Sequence, residues 1–173
     1  MLVRPLAALA VSAALLLAGC GDDDPTPRAA DPTPPASTAP ATTLAPVLET
    51  PEEFVRRWFA VGDAMQNSGD TSAYRLASPE CAPCQKFADV VDKYYADGGF
   101  IEAGDRSVLS LKFLLQSREK QVVRVKVDTP PTTYATRRGG DVRSFDGGQS
   151  TYKLTLERAG SVWQVGSYTE VSS

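Results

Sequence analysis

Cys81-Ala82-Pro83-Cys84 is the constellation in this chain whose residue types and spacing suit chemistry most directly. Two thiols three positions apart can close a disulfide or exchange one. At a helix start, exposed amides and the helix dipole lower a thiol's pKa and so activate it. A redox pair of the thioredoxin kind follows a strand, however, and carries a Trp-Cys-Gly-Pro signature. Here helical sequence and a loop come first, and that signature is missing. A structural disulfide between Cys81 and Cys84, pinning a helix start, is the leading expectation, with exported thiol exchange as the alternative. The chain has no histidine, which removes the Ser-His and Cys-His catalytic pairs. Zinc needs about four ligands that this composition does not supply, so no metal and no cofactor are expected.

The third cysteine, Cys20, has a different reading. A cationic start at Arg4 precedes an apolar run from Leu6 to Leu17, and the small residues Ala18 and Gly19 come just ahead of the thiol. The run is shorter than the roughly 20 residues that a membrane-crossing helix needs. This is the layout of an export signal ending in a lipobox, which implies cleavage before Cys20 and acylation of its sulfur. Buried acyl methylenes contribute about 0.8 kcal/mol each, so two or three chains hold a protein to a membrane lastingly. The expected organisation is a signal peptide over 1–19, a lipidated Cys20 with a tether over 20–49, and a folded domain over 50–173. The expected location is the extracytoplasmic face of the cell membrane. A formal charge of -3 with interspersed signs leaves no electrostatic footprint for nucleic acid.

The elements that must position the candidate residues begin after the tether, whose prolines and threonines carry no aromatic side chain and cannot build a core. Thr50-Pro51-Glu52-Glu53 reads as a capping box with proline in the first turn, opening a helix to about Gln66. Phe54, Val55, Trp58, Phe59, Gly62 and Met65 share its buried face. Thr71 or Ser72 caps a short second helix through Leu76. Ser78-Pro79-Glu80 opens a third, which carries both cysteines and stops at Gly98-Gly99. Beyond Phe100 the period becomes alternating. Leu109, Leu111, Phe113 and Leu115 are placed on one face, as are Val123, Val125 and Val127. Tyr152, Leu154 and Leu156 repeat the pattern, and Trp163 and Val165 follow a turn at Arg158-Ala159-Gly160. A strand near Tyr134 and a glycine-rich loop over 137–141 complete the reading. Helices first and an antiparallel sheet afterwards make an α+β domain.

This order, ending in Gly160-Ser161-Val162-Trp163-Gln164-Val165, resembles the NTF2-like cone fold, about three helices followed by a curved antiparallel sheet. More closely, the chain resembles an actinobacterial lipoprotein family known as a domain of unknown function. Pro51-Glu52-Glu53-Phe54 with Trp58-Phe59, Ser78-Pro79-Glu80-Cys81-Ala82-Pro83-Cys84 and Tyr94-Tyr95-Ala96-Asp97-Gly98-Gly99 carry that resemblance. It implies no catalytic residue. Cone folds bind small apolar ligands between helices and sheet, and Trp58, Tyr95, Tyr134, Tyr152 and Trp163 form the candidate pocket, with Trp58 and Trp163 expected to flank it. The reading favoured for these side chains is plain core, since a domain of this size needs such large residues to be stable. Asp63, Asp89, Asp92 and Asp97 fall on the helices, where a carboxylate is usually a solvated charge; a cone-fold isomerase or dehydratase would need one buried as a base. The leading expectation is a non-enzymatic, membrane-anchored binding module whose partner is an envelope protein or an apolar small molecule. The alternatives are the buried-carboxylate enzyme and the thiol exchanger.

Overall fold

The computed structural model describes residues 48–171. The expected signal segment, Cys20 and nearly all of the expected tether lie outside the described residues.

The first helix, α1, spans Pro51–Ser68. Its start is the expected capping box: the Thr50 hydroxyl accepts from the Glu53 amide at 3.2 Å, and the Thr50 amide donates to Glu53 Oε2 at 2.8 Å. Reciprocal bonds of this kind satisfy amides that the first turn leaves without partners. Gly69, in the left-handed region at φ 76°, ends the helix by donating to the Met65 carbonyl. The next helix, α2, covers Ser72–Ala77. Its first turn is held by Asp70, whose Oδ1 accepts from the Ser72 amide at 3.0 Å, while the Thr71 hydroxyl donates instead to Asp92. The third helix, α3, spans Ala82–Ala96 with Cys81 as its cap residue; Pro79 and Glu80 form the turn ahead of it and not its first residues.

Among the described residues seven strands follow, all antiparallel to their partners, and their hydrogen bonding falls into two groups. The smaller joins β1 (Phe100–Ala103), β4 (Thr132–Ala135) and β5 (Arg143–Phe145) in that order. The larger runs β2 (Ser107–Gln116), β3 (Lys120–Thr129), β6 (Gly148–Ala159), β7 (Val162–Glu170). Gly160, at φ 64°, turns the last hairpin. The α+β class and the helix-then-sheet order match the NTF2-like expectation.

Val123, Val125, Val127, Leu154, Leu156 and Val165 bury the inner face of the larger group under Phe54, Val55, Trp58 and Phe59 of α1 and Ala88 and Val91 of α3. Alternation fails in β2. The pairing shifts between Val108 and Ser110 and again between Phe113 and Leu115, so Val108, Leu111 and Phe113 pack inward opposite Val127, Val125 and Val123. Leu109 and Leu115, placed on that face by simple parity, are about half exposed. Each bulge adds one residue to one strand and so reverses which side chains face in.

Candidate functional site

Two neighbours on α1 set the site. Gly62 and Asp63 continue the stripe that buries Val55 and Phe59, so the Asp63 carboxylate is carried inward and is 2 % exposed. A buried charge is tolerated when it is paired and hydrogen-bonded. Arg106, the residue before β2, supplies both conditions. Its amide donates to Asp63 Oδ2 at 3.0 Å and its Nε to Asp63 Oδ1 at 2.5 Å. Its Nη2 reaches the Phe59 carbonyl at 3.2 Å, and the guanidinium lies 5.0 Å from the Phe59 ring centroid.

This ion pair forms the polar floor of a cavity of about 550 Å³. One wall is Tyr74, Tyr152 and Tyr168, of which Tyr152 and Tyr168 stack with centroids 4.8 Å apart. Phe87 meets the Tyr74 ring edge-on at 6.2 Å, and the parallel pair Tyr94 and Tyr134, whose rings lie 5.9 Å apart, also lines the cavity. Val90 and Phe145, both exposed, sit at the rim. The volume suits a small organic molecule, and aromatic walls with a few polar groups are the usual lining of such sites. Burial pushes the Tyr74 and Tyr168 phenols well above their ordinary range, and the nearby Tyr152 adds to the effect on Tyr168. Both hydroxyls therefore keep their protons and remain donors.

Of the five aromatic residues expected to line a pocket, Tyr134 and Tyr152 do so, and Trp58, Tyr95 and Trp163 do not. Trp58 is sealed behind the wall, stacked on Tyr74 at 5.3 Å and edge-on to Phe59 at 5.0 Å. Trp163, buried at the far end of β7, lies under the Arg158 guanidinium at 5.1 Å. Tyr95 fastens the end of α1, its hydroxyl donating to the Gln66 carbonyl at 2.7 Å. The space between Trp58 and Trp163 is core, and the cavity opens elsewhere, against Tyr74 and Tyr168.

Cys81 and Cys84 form a disulfide with Cα atoms 5.2 Å apart, and both residues are buried at the start of α3. Cys20 lies outside the described residues. Asp89 and Asp92 pair with Arg75 at 2.7 and 2.6 Å, and Asp97 with Lys93 at 2.6 Å, as surface charges do. Asp63 departs from that expectation. The signal that marked it was its position four residues after Phe59 on the apolar stripe, with a glycine beside it. Its partner Arg106, Tyr74 and Tyr168 went unnoticed as site residues. Among the described residues no group of three or more Cys, Asp or Glu side chains is placed to hold a metal, and no helix is long and apolar enough to cross a membrane.

No family model and no curated protein matches the chain. Similar solved structures do exist. The intermembrane space region of chloroplast protein ARC6 is 14% identical over 70% of this chain and 94% of its own, with a TM-score of 0.48. A cystatin-like-fold protein from Caulobacter vibrioides is 10% identical over 70% and 89%, with a TM-score of 0.43. An NTF-2-like protein of unknown function from Shewanella oneidensis MR-1 is 13% identical over 70% and 98%, with a TM-score of 0.42. These likenesses concern the fold, and no residue is carried across from any of them.

Proposed function

We propose that this chain is a membrane-anchored envelope lipoprotein whose α+β domain binds an apolar, ring-bearing small molecule without transforming it. The observation behind the binding half is the aromatic cavity of about 550 Å³ with its rim at Val90 and Phe145. It favours a small-molecule ligand over an envelope protein partner, because a concave cavity lined by several tyrosine rings offers apolar area to an inserted ring. A titration with the uncharged fluorophore N-phenyl-1-naphthylamine tests it. Binding should saturate at one probe per chain. Tyr134→Ala should weaken it about tenfold, the loss of one ring contact, whereas Tyr95→Phe, outside the cavity, should leave it unchanged. Binding that does not saturate, or that responds equally to both substitutions, counts against the pocket.

The anchoring half rests on the lipobox at Cys20. Cys20→Ser should move the protein from the membrane fraction to the soluble one, and an unchanged distribution would overturn it. A second reading, a pocket enzyme with Asp63 as base, is favoured by the carboxylate's place in the cavity floor. Against it, both Asp63 oxygens accept from Arg106, and a carboxylate so engaged serves to hold the arginine. Thiol exchange has less support still, because an exchanging sulfur must be reachable and Cys81 and Cys84 are 0 % and 1 % exposed.

A further inference from the structure

We infer that the pocket's ligand is an uncharged molecule carrying a carbonyl oxygen, which accepts a hydrogen bond from Nη1 of Arg106. The inference rests on the small-molecule reading above and narrows it to a chemical class.

Arg106 is anchored at three points, its amide and Nε on Asp63 and its Nη2 on the Phe59 carbonyl. Among the described residues Nη1 has no partner, although Arg106 lines the cavity and its side chain is only 13% exposed. Nη1 is not among the fully buried unpaired atoms, so it is a cationic donor at the cavity surface, open to whatever occupies the cavity. The Tyr74 and Tyr168 phenols keep their protons, and the one carboxylate in the lining, Asp63, is already engaged by Arg106. Gln66, Thr129, Thr132, Gln149 and Ser150 bring both donors and acceptors to the rest of the lining, so what sets the site apart is the charged donor Nη1, which lacks a protein acceptor.

Charge separates the acceptors. Asp63 already balances the positive charge of Arg106, so a second carboxylate would meet a neutral floor beside a fixed negative group. A carbonyl oxygen accepts from Nη1 while bringing no net charge, and the apolar remainder of such a molecule fits the tyrosine walls.

Gly62 is the positioning residue for this donor. A Cβ there would stand 2.6 Å from Arg106 Nη2 and 3.3 Å from the Tyr74 ring, so the guanidinium lies where any other residue would put its side chain. Glycine is the poorest helix former after proline, and its presence inside α1 is accounted for by this close approach.

Two probes of one carbon skeleton test the inference, 2-acetonaphthone and 2-ethylnaphthalene, which differ in a carbonyl oxygen against two hydrogens. Calorimetric titration of the full chain should show the ketone binding about tenfold more tightly, as expected for a hydrogen bond to a charged donor. In the charge-neutral pair variant Asp63→Leu/Arg106→Met, which removes the guanidinium and leaves no side-chain donor in its place, and in Gly62→Ala, the ratio of the two affinities within each variant should fall to about twofold or less. Circular dichroism establishes that each variant is folded. Equal affinities of the native chain for the two probes would overturn the carbonyl inference and leave the pocket standing. Binding of neither probe would bring down both readings. A preference that survives in the paired variant would take the assignment away from Arg106.

Discussion

Replacing Asp63 by asparagine removes one charge and nearly no volume, and it strands Arg106 against the cavity floor. Breaking a buried ion pair by changing one partner typically costs about 3–5 kcal/mol, because the remaining charge stays desolvated. The lower end applies here, since the Arg106 side chain borders a cavity that water can reach and is 13% exposed against 3% for Asp63. At about 2.1 cal/mol/K of unfolding entropy per residue, a domain of roughly 120 residues loses about 4 °C of Tm per kcal/mol, so Asp63→Asn should lower Tm by about 12 °C. Thermal unfolding followed by far-ultraviolet circular dichroism, with a urea titration beside it, measures both quantities. The double substitution Asp63→Leu/Arg106→Met, which buries no charge, should recover most of the loss. A fall of less than about 1 kcal/mol in Asp63→Asn would mean that the pair carries no such desolvated charge, and the account of the pocket floor would fail with it.

The tyrosines make the fold alkali-sensitive. Tyr74 and Tyr168 have folded pKa values raised above the ordinary 10, so their contribution is fully present below about pH 10 and is lost as pH climbs towards the folded values. Phenolate absorbance at 295 nm should then show these two tyrosines ionising together with loss of the dichroism signal; titration of all six tyrosines with the fold intact would refute this. Removing the disulfide in Cys81→Ala/Cys84→Ala reopens a four-residue loop and should cost about 2 kcal/mol in chemical denaturation. Cys81 and Cys84 of the native chain should react with a thiol reagent only after reduction under unfolding conditions. Thr50→Ala, which deletes the hydroxyl half of the capping box, should cost about 1 kcal/mol by the same titration, and an unchanged midpoint would argue that the box contributes nothing.

Local signals were the legible ones. The capping box at Thr50 and Glu53 is written within four residues, and the alternation of Val123, Val125 and Val127 needs only the strand that contains it. The close spacing of Cys81 and Cys84 likewise carries its own answer. What escaped sequence reading depends on distant partners. Asp63 reads as a solvated helix charge until Arg106, 43 positions later, arrives beside it. Trp58 and Trp163 are large enough to wall a cavity and were expected to, but size does not tell which aromatic rings reach the opening and which lie a layer behind. The bulges in β2 follow from pairing with β3 and leave no mark in a period-two pattern, so Leu109 and Leu115 were assigned to the wrong face. The division of the hydrogen bonding into two groups escaped for the same reason, since β1 finds its partner more than 30 residues away in β4.

The arrangement at the head of α1 has a mechanical consequence. Glu49 is clasped by Arg57 at 2.6 and 2.8 Å, Glu53 grips Thr50, and the next residues along the helix that face inward, Phe54, Val55, Trp58 and Phe59, are the most deeply rooted in the protein. Tension applied at residue 48 meets the Glu49–Arg57 clasp and the capping box before it reaches any strand. To unwind further, the first turns of α1 must give up the buried Phe54, Val55, Trp58 and Phe59. Whatever load reaches residue 48 is thus met first by the best-rooted helix of the domain.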